Sequence, residues 1–217
     1  MAAVATKIKK IGIIGSGHIG GNLGLLLGKA GYEIFYSSRH PEKLKGLATA
    51  TGTKARAGSV PEAIESADVV ILSVPLKAIP ELDENTKNAL KGKIVIDTSN
   101  PYPERDGEIA NQALMEPGGM GVFVSKLLPG AKIVRAFNTV YFEDLKKRVN
   151  QYGEKIGIPI AGDDEEGVNA AVELVQHAGL DPVVVGGLNK SKTFDVGTAV
   201  YATSASAQEI RQKLNLK

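Results

Sequence analysis

The sequence contains no cysteine, which excludes disulfides, thiolate metal sites and a cysteine nucleophile together and is compatible with a reducing compartment. Its three histidines, His18, His40 and His177, are scattered, and neither a His-Glu-x-x-His helix nor a nucleophile elbow with a Ser-His-Asp order is present. Zinc and hydrolase chemistry fall away, and no metal site is expected. There is no charge excess of either sign, since 26 basic and 24 acidic side chains are spread along the chain for a net charge of +2. Without a basic tail or stripe, nucleic acid is not an expected partner. No apolar run approaches the roughly 20 residues of a membrane span, and the opening "MAAVATKIKK" is too polar for a signal peptide. The expectation is a cytoplasmic protein with no membrane partner.

What is there is a chain of 217 residues, 43% hydrophobic, long enough for a full core and read as a single domain over residues 1–217. Short runs rich in Val and Ile recur at residues 9–15, 32–38, 67–74, 93–99, 131–137, 155–162 and 182–187. Several are apolar at consecutive positions, as strands covered on both faces must be. Segments of helical composition separate them at residues 18–30, 41–48, 60–66, 76–90 and 164–178. This alternation predicts an α/β protein, a Rossmann-type doubly wound parallel sheet. The acidic run Asp163, Asp164, Glu165 and Glu166 reads as a helix start, where carboxylates meet free amides and the positive end of the dipole. Residues 100–121, rich in proline, glycine and charge, read as a long excursion beyond the sheet. Residues 140–217 form a C-terminal extension that closes the site, its last segment a wrap over the sheet, a homodimer contact or a free surface tail.

The most specific motif is "IGIIGSGHIGGNLGLLLGKAG", in which Gly15, Gly17 and Gly20 follow an apolar strand and precede a helix carrying Leu23, Leu26 and Leu27. In that context the first glycine makes a tight turn, the second lets the backbone approach a pyrophosphate and the third brings helix against strand. Gly15, Ser16, Gly17, His18, Ile19 and Gly20 are therefore candidate dinucleotide-binding residues, with free amides of the helix start facing the phosphates. His18 reads as a lining or solvent-facing residue rather than a catalytic one.

The second β-run ends near Ser38, where an NAD-binding chain keeps an acid for the ribose 2′-hydroxyl. Here "YSSRHPEKL" offers Ser37, Ser38 and Arg39 and no acid until Glu42. Two hydroxyls and a guanidinium suit a 2′-phosphate, so NADP(H) is the expected cofactor; the alternative is a solvated turn.

The stretches "GIIGSGHIGGNLGLLL", "YSSRHPEKL", "DVVILSVP", "KIVIDTSNP", "RAFNTV" and "IAGDD" together resemble the coenzyme F420-dependent NADP oxidoreductase family over nearly the whole chain. "AFNTV" and "SNP" are also similar to the cytosolic NADPH-binding domains of transmembrane ferric reductases. The resemblance implies NADP(H) and a small-molecule redox acceptor, coenzyme F420 or a flavin. Carried over by position, it implies that Ser37, Ser38 and Arg39 hold the 2′-phosphate, that Val74 and Pro75 turn along the dinucleotide, and that Asn138 lies near the nicotinamide. After the fifth strand, deazaflavin-using relatives carry a short apolar segment, where this chain reads "TSNPYPERDGEIANQ".

Thr98, Ser99, Asn100 and Tyr102 stand at a strand's carboxyl end, where open α/β sheets bind ligands, or else form a turn shaped by Asn-Pro chemistry. Asn100 is counted with the cofactor-binding candidates. Asn138 is a candidate for positioning nicotinamide or acceptor, or a cap for a helix over residues 140–148. Hydride transfer between stacked rings requires no protein acid, whereas a carbonyl or imine acceptor needs a proton donor. Tyr102 and Lys126 can be nominated for that role, but no Tyr-x-x-x-Lys pair supports them. The reading is a ring-to-ring NADPH oxidoreductase with a cleft bounded by Pro75, Asn100, Pro101, Asn138 and Thr139. The alternatives are an NADPH-binding or sensing module without chemistry, or a ferric-reductase-like electron donor.

Overall fold

The computed structural model describes residues 8–150 and 155–216, with residues 148–150 as backbone only. The first half runs β1 (Lys10–Ile14), α1 (His18–Lys29), β2 (Glu33–Ser37), α2 (Lys45–Thr51), β3 (Ala55–Gly58), α3 (Val60–Ser66), β4 (Val69–Leu72), α4 (Glu84–Ala89) and β5 (Ile94–Asp97). The second half runs α5 (Pro103–Asp106), α6 (Glu108–Met115), α7 (Gly119–Leu127), β6 (Lys132–Arg135), α8 (Phe142–Asn150), β7 (Gly157–Gly162), α9 (Glu165–His177), β8 (Asp181–Gly186) and α10 (Ala207–Lys213). One sheet holds all the strands in the order β3-β2-β1-β4-β5-β6-β7-β8, reversing direction of growth at β1/β4. This is the expected doubly wound Rossmann-type architecture, whose ligand crevice lies at that switch point.

Consecutive apolar residues take opposite faces. Val69 and Ile71 enter the core under α1 and α9, whereas Val70 and Leu72 enter the core under α3 and α7. Ile94 and Ile96 part from Val95 in the same way, and Leu23, Leu26 and Leu27 of α1 are all buried in the first core. The acidic run behaves as its chemistry requires: Asp164 caps α9 by accepting from the Gly167 amide at 2.8 Å.

Three features differ from expectation. A further edge strand, β3, carries the sequence "ARAG", with no β-branched residue to announce it, and is held by its parallel pairing to β2. β7 runs antiparallel to β6, a direction that apolar composition does not encode. Residues 100–121 are not an excursion but contain α5, α6 and the start of α7. Pro103 sits in the first turn of α5, Gly107 (φ +69°) separates α5 from α6, and Gly119 (φ +79°) opens α7. The prolines and glycines thus punctuate short helices whose Ala113, Met120 and Val124 pack on the sheet.

The segment after β8 wraps back over the sheet. Phe194, Val200, Ala205 and Ile210 form a separate cluster with Ala161 of β7 and Val183 of β8. No helix among the described residues is long and apolar enough to cross a membrane.

Candidate active site

The loop after β1 is shaped by two close approaches. Gly15 has φ +89°, and a Cβ there would stand 2.3 Å from the Ser73 carbonyl oxygen in the loop after β4. A Cβ on Gly20 would stand 2.2 Å from the Gly15 carbonyl oxygen, so glycine lets α1 press against the loop. Gly17 is different. It is the N-cap of α1 without a side-chain cap, and nothing lies within 4 Å of the position its Cβ would take. The fold does not require glycine at 17, and the space before the helix start is open. Ser16 braces the loop by donating to the Ser37 carbonyl at 3.3 Å, and the exposed His18 ring stacks on Phe142 at 4.6 Å. Ile19 packs partly into the core.

At the tip of β2 the three candidates separate. Ser37 is fully buried and its hydroxyl donates to the Ile13 carbonyl at 2.8 Å, so it cannot also meet a phosphate and is corrected to a structural role. Ser38 accepts from the His40 amide at 3.0 Å, which leaves its own proton to donate. Arg39 is exposed, with no ion-pair partner among the described residues. Glu42, the nearest acid along the chain, pairs with His40 at 3.5 Å.

The loops after β1, β4, β5 and β6 enclose a cleft of about 640 Å³. Pro75, Asn100, Asn138 and Thr139 line it as expected, together with Val74; Pro101 is buried and does not. Tyr102 lines it as well, whereas Lys126 lies elsewhere, paired with Glu116 at 2.7 Å. The two Asn candidates are largely committed within the protein. Asn100 receives Arg135 Nη2 on its Oδ1 at 3.0 Å and donates Nδ2 to the Asn138 carbonyl at 2.9 Å, so it braces the cleft floor that it also lines. Asn138 is no helix cap: α8 begins at Phe142, and Asn138 Nδ2 donates to the Phe194 carbonyl at 3.1 Å. Its Oδ1 is buried without a hydrogen-bond partner among the described residues. Phe137, just before it, is held at φ +60°, a strained conformation for a bulky residue at a strand end beside the cleft.

Beneath the floor lies a charge cluster that sequence reasoning missed. Arg135 is fully buried and pairs with Asp97 at 2.6 Å and Asp195 at 3.1 Å. It also donates to the Ser99 carbonyl. Burial pushes the Asp97 carboxyl up, opposed by Arg135 and by hydrogen bonds from the Ser99 amide and hydroxyl. Asp195 in turn accepts from the Met120 amide at 2.7 Å, so one guanidinium joins β5, β6, the start of α7 and the C-terminal wrap. The signal available was one charge beyond the leading lysine in each of two apolar runs, "KIVIDTS" and "KIVRAF", at positions that prove to be register partners, Asp97 and Arg135.

Residues 10–101 match the family described as NADP oxidoreductase, coenzyme F420-dependent. The resemblance carried by the motifs is borne out. The chain is 26% identical over 195 residues to the metalloreductase STEAP3 of Rattus norvegicus, covering 88% of this chain and 37% of that protein. It is 31% identical over 142 residues to the F420-dependent NADP reductase of Methanocaldococcus jannaschii, covering 63% of this chain and 61% of that protein. The chain thus spans less than two thirds of either relative. Among solved structures, a hypothetical protein from Sinorhizobium meliloti superposes with a TM-score of 0.74 at 27% identity, covering 90% of this chain and 94% of that one.

Proposed function

We propose that the described chain acts as one NADPH-binding unit, and that it passes a hydride from NADPH to a flat ring acceptor, a flavin or coenzyme F420, seated in the cleft. The observation that carries the reading is the pairing of open space before α1 at Gly17 with an unpaired, exposed Arg39 at the tip of β2. The residues suit the nucleotide: free helix-start amides for the pyrophosphate, and a planar cation with the Ser38 hydroxyl for a 2′-phosphate. When bound, the nicotinamide supplies the hydride. The protein's part is to hold the nucleotide along the loops after β1 and β4 and to keep a second ring against it. The names of the reductase relatives support the same direction of reading.

Arg39→Ala is expected to weaken NADPH by about 1.5–3 kcal/mol, the scale of a charged hydrogen bond, and to leave NADH nearly unchanged. Titration of both nucleotides checks it; equal losses would assign Arg39 to the fold alone. Asn138→Ala is expected to lower turnover with a flavin or F420 acceptor while NADPH affinity stays within a few-fold. It also leaves the Phe194 carbonyl unpaired, for a stability loss of about 1–3 kcal/mol that thermal unfolding measures separately. The deciding experiment is NADPH oxidation with flavin, coenzyme F420, ferric chelate and quinone. Tight NADPH binding with no turnover of any of them would favour a binding module.

A further inference from the structure

We propose that the phenols of Tyr102 and Tyr201 form a proton donor in the cleft, giving the protein a second activity, reduction of a polar C=N or C=O bond. The proposal rests on the NADPH reading above and goes beyond it, because transfer between rings needs no protein acid.

Several polar groups of the cleft are turned to other work. The Thr98 hydroxyl donates to the Leu72 carbonyl, the Ser99 hydroxyl to Asp97, and the Asn100 amide is engaged at both ends. The two phenols face the cleft and hydrogen-bond one another, although 99 residues separate them in sequence. Each phenol has one proton to donate, and a single bond between them uses one. The second proton remains for a ligand.

The surroundings hold the pair in place. The Arg105 guanidinium lies 4.9 Å from the centre of the Tyr102 ring. It is fixed there by Asp106, at 2.7 and 3.1 Å, and by the Asn100 carbonyl at 2.7 Å. The guanidinium, so fixed, holds the Tyr102 ring in orientation through a cation–π contact. Burial and the hydrogen bond to Tyr102 push the Tyr201 phenol up, so it stays protonated and available as a hydrogen-bond donor to its neighbour; Arg135 and Arg105 act in the opposite sense. Tyr201 is held in place by the next residue, Ala202, whose amide donates to the Thr139 carbonyl at 2.9 Å across the cleft wall. The charged groups around the pair are thus Arg105 with Asp106, and Arg135 with Asp97 and Asp195 beneath.

In the step proposed, a hydride from NADPH forms a C–H bond at the acceptor carbon, and the π pair moves to nitrogen or oxygen. That atom takes the Tyr102 proton, Tyr102 takes one from Tyr201, and Tyr201 takes one from solvent. One NADPH and one proton give NADP⁺ and an amine or alcohol.

The test uses the full chain with 2-methyl-1-pyrroline and cyclohexanone as probes. Wild type should oxidise NADPH with at least one of them. Tyr102→Phe should lower that rate by about 100-fold or more, the range of general acid catalysis, while NADPH affinity stays within a few-fold and flavin reduction, which needs no protein acid, falls far less. A second readout needs no turnover: 2-pyrrolidinone, a carbonyl that NADPH does not reduce, should bind the NADP⁺ complex about fivefold more weakly in Tyr102→Phe, the worth of one neutral hydrogen bond. Tyr201→Phe should retain the fold and lose part of the rate. Wild type that binds NADPH but reduces neither probe overturns this proposal alone, as does Tyr102→Phe with unchanged rates or with equal losses for every acceptor. Wild type that does not bind NADPH sinks the nucleotide reading first.

Discussion

Gly17→Val is expected to abolish NADPH binding and leave the protein folded. A Cβ at Gly17 would meet no protein atom within 4 Å, and the residue sits at φ −78°, ψ −153°, in extended space open to a β-branched side chain. The new methyl groups would instead fill the approach to the helix-start amides, where the pyrophosphate is placed. Affinity should fall by at least about 100-fold, equivalent to roughly 3 kcal/mol. Gly20→Val makes the contrasting control. Its Cβ would collide with the Gly15 carbonyl oxygen at 2.2 Å, so it should cost about 1–3 kcal/mol or more of stability by overpacking. Fluorescence titration of NADPH and thermal unfolding, run on both variants, separate the two effects. A folded Gly17→Val protein with wild-type affinity would mean that the nucleotide lies elsewhere.

That contrast marks how far the sequence alone could be read. The glycine fingerprint was legible because spacing and context specify it, yet the pattern treats three glycines alike while only Gly15 and Gly20 are required by close packing. Strands covered on both faces were legible from runs such as "DVVILSV", since consecutive apolar residues have no other economical arrangement. The "ARAG" strand was not, because an edge strand of small residues draws its stability from pairing with β2. At the site, Ser37, Ser38 and Arg39 have the same appearance in sequence. Strand alternation sends Ser37 inward to Ile13 and leaves the next residues outside. Asn100 and Tyr201 show the other limit: the first is committed by a guanidinium 35 residues away, and the second reaches the cleft across 99 residues. Contacts of that range follow from the order of strands, not from local pattern.

Arg135→Met is expected to destabilise the protein by about 3–5 kcal/mol at neutral pH, the cost of leaving a buried charge without its partner. The substitution keeps most of the side chain's volume but strips Asp97, fully buried, of its counter-ion and leaves Asp195 without its own. The pH dependence has a definite sign. Burial already pushes the Asp97 carboxyl up, and Arg135 opposes that push. Without the guanidinium, the folded state keeps a proton on Asp97 that the unfolded chain releases near pH 4. Between those two ionisations the folded state binds more protons, so stability falls as pH rises. The deficit against wild type should therefore be smallest in acid and grow toward neutrality, which urea unfolding across that interval measures. Adding Asp97→Asn removes one stranded charge, and the double variant should be more stable at neutral pH than Arg135→Met alone. A deficit independent of pH, with no recovery in the double variant, would mean that the loss is one of packing. The same guanidinium also holds Asn100, which in turn holds the Asn138 carbonyl. A charge effect would accordingly reach the floor of the cleft, and folded Arg135→Met protein should turn over acceptors more slowly while its nucleotide loop, braced through Ser37, keeps its affinity for NADPH.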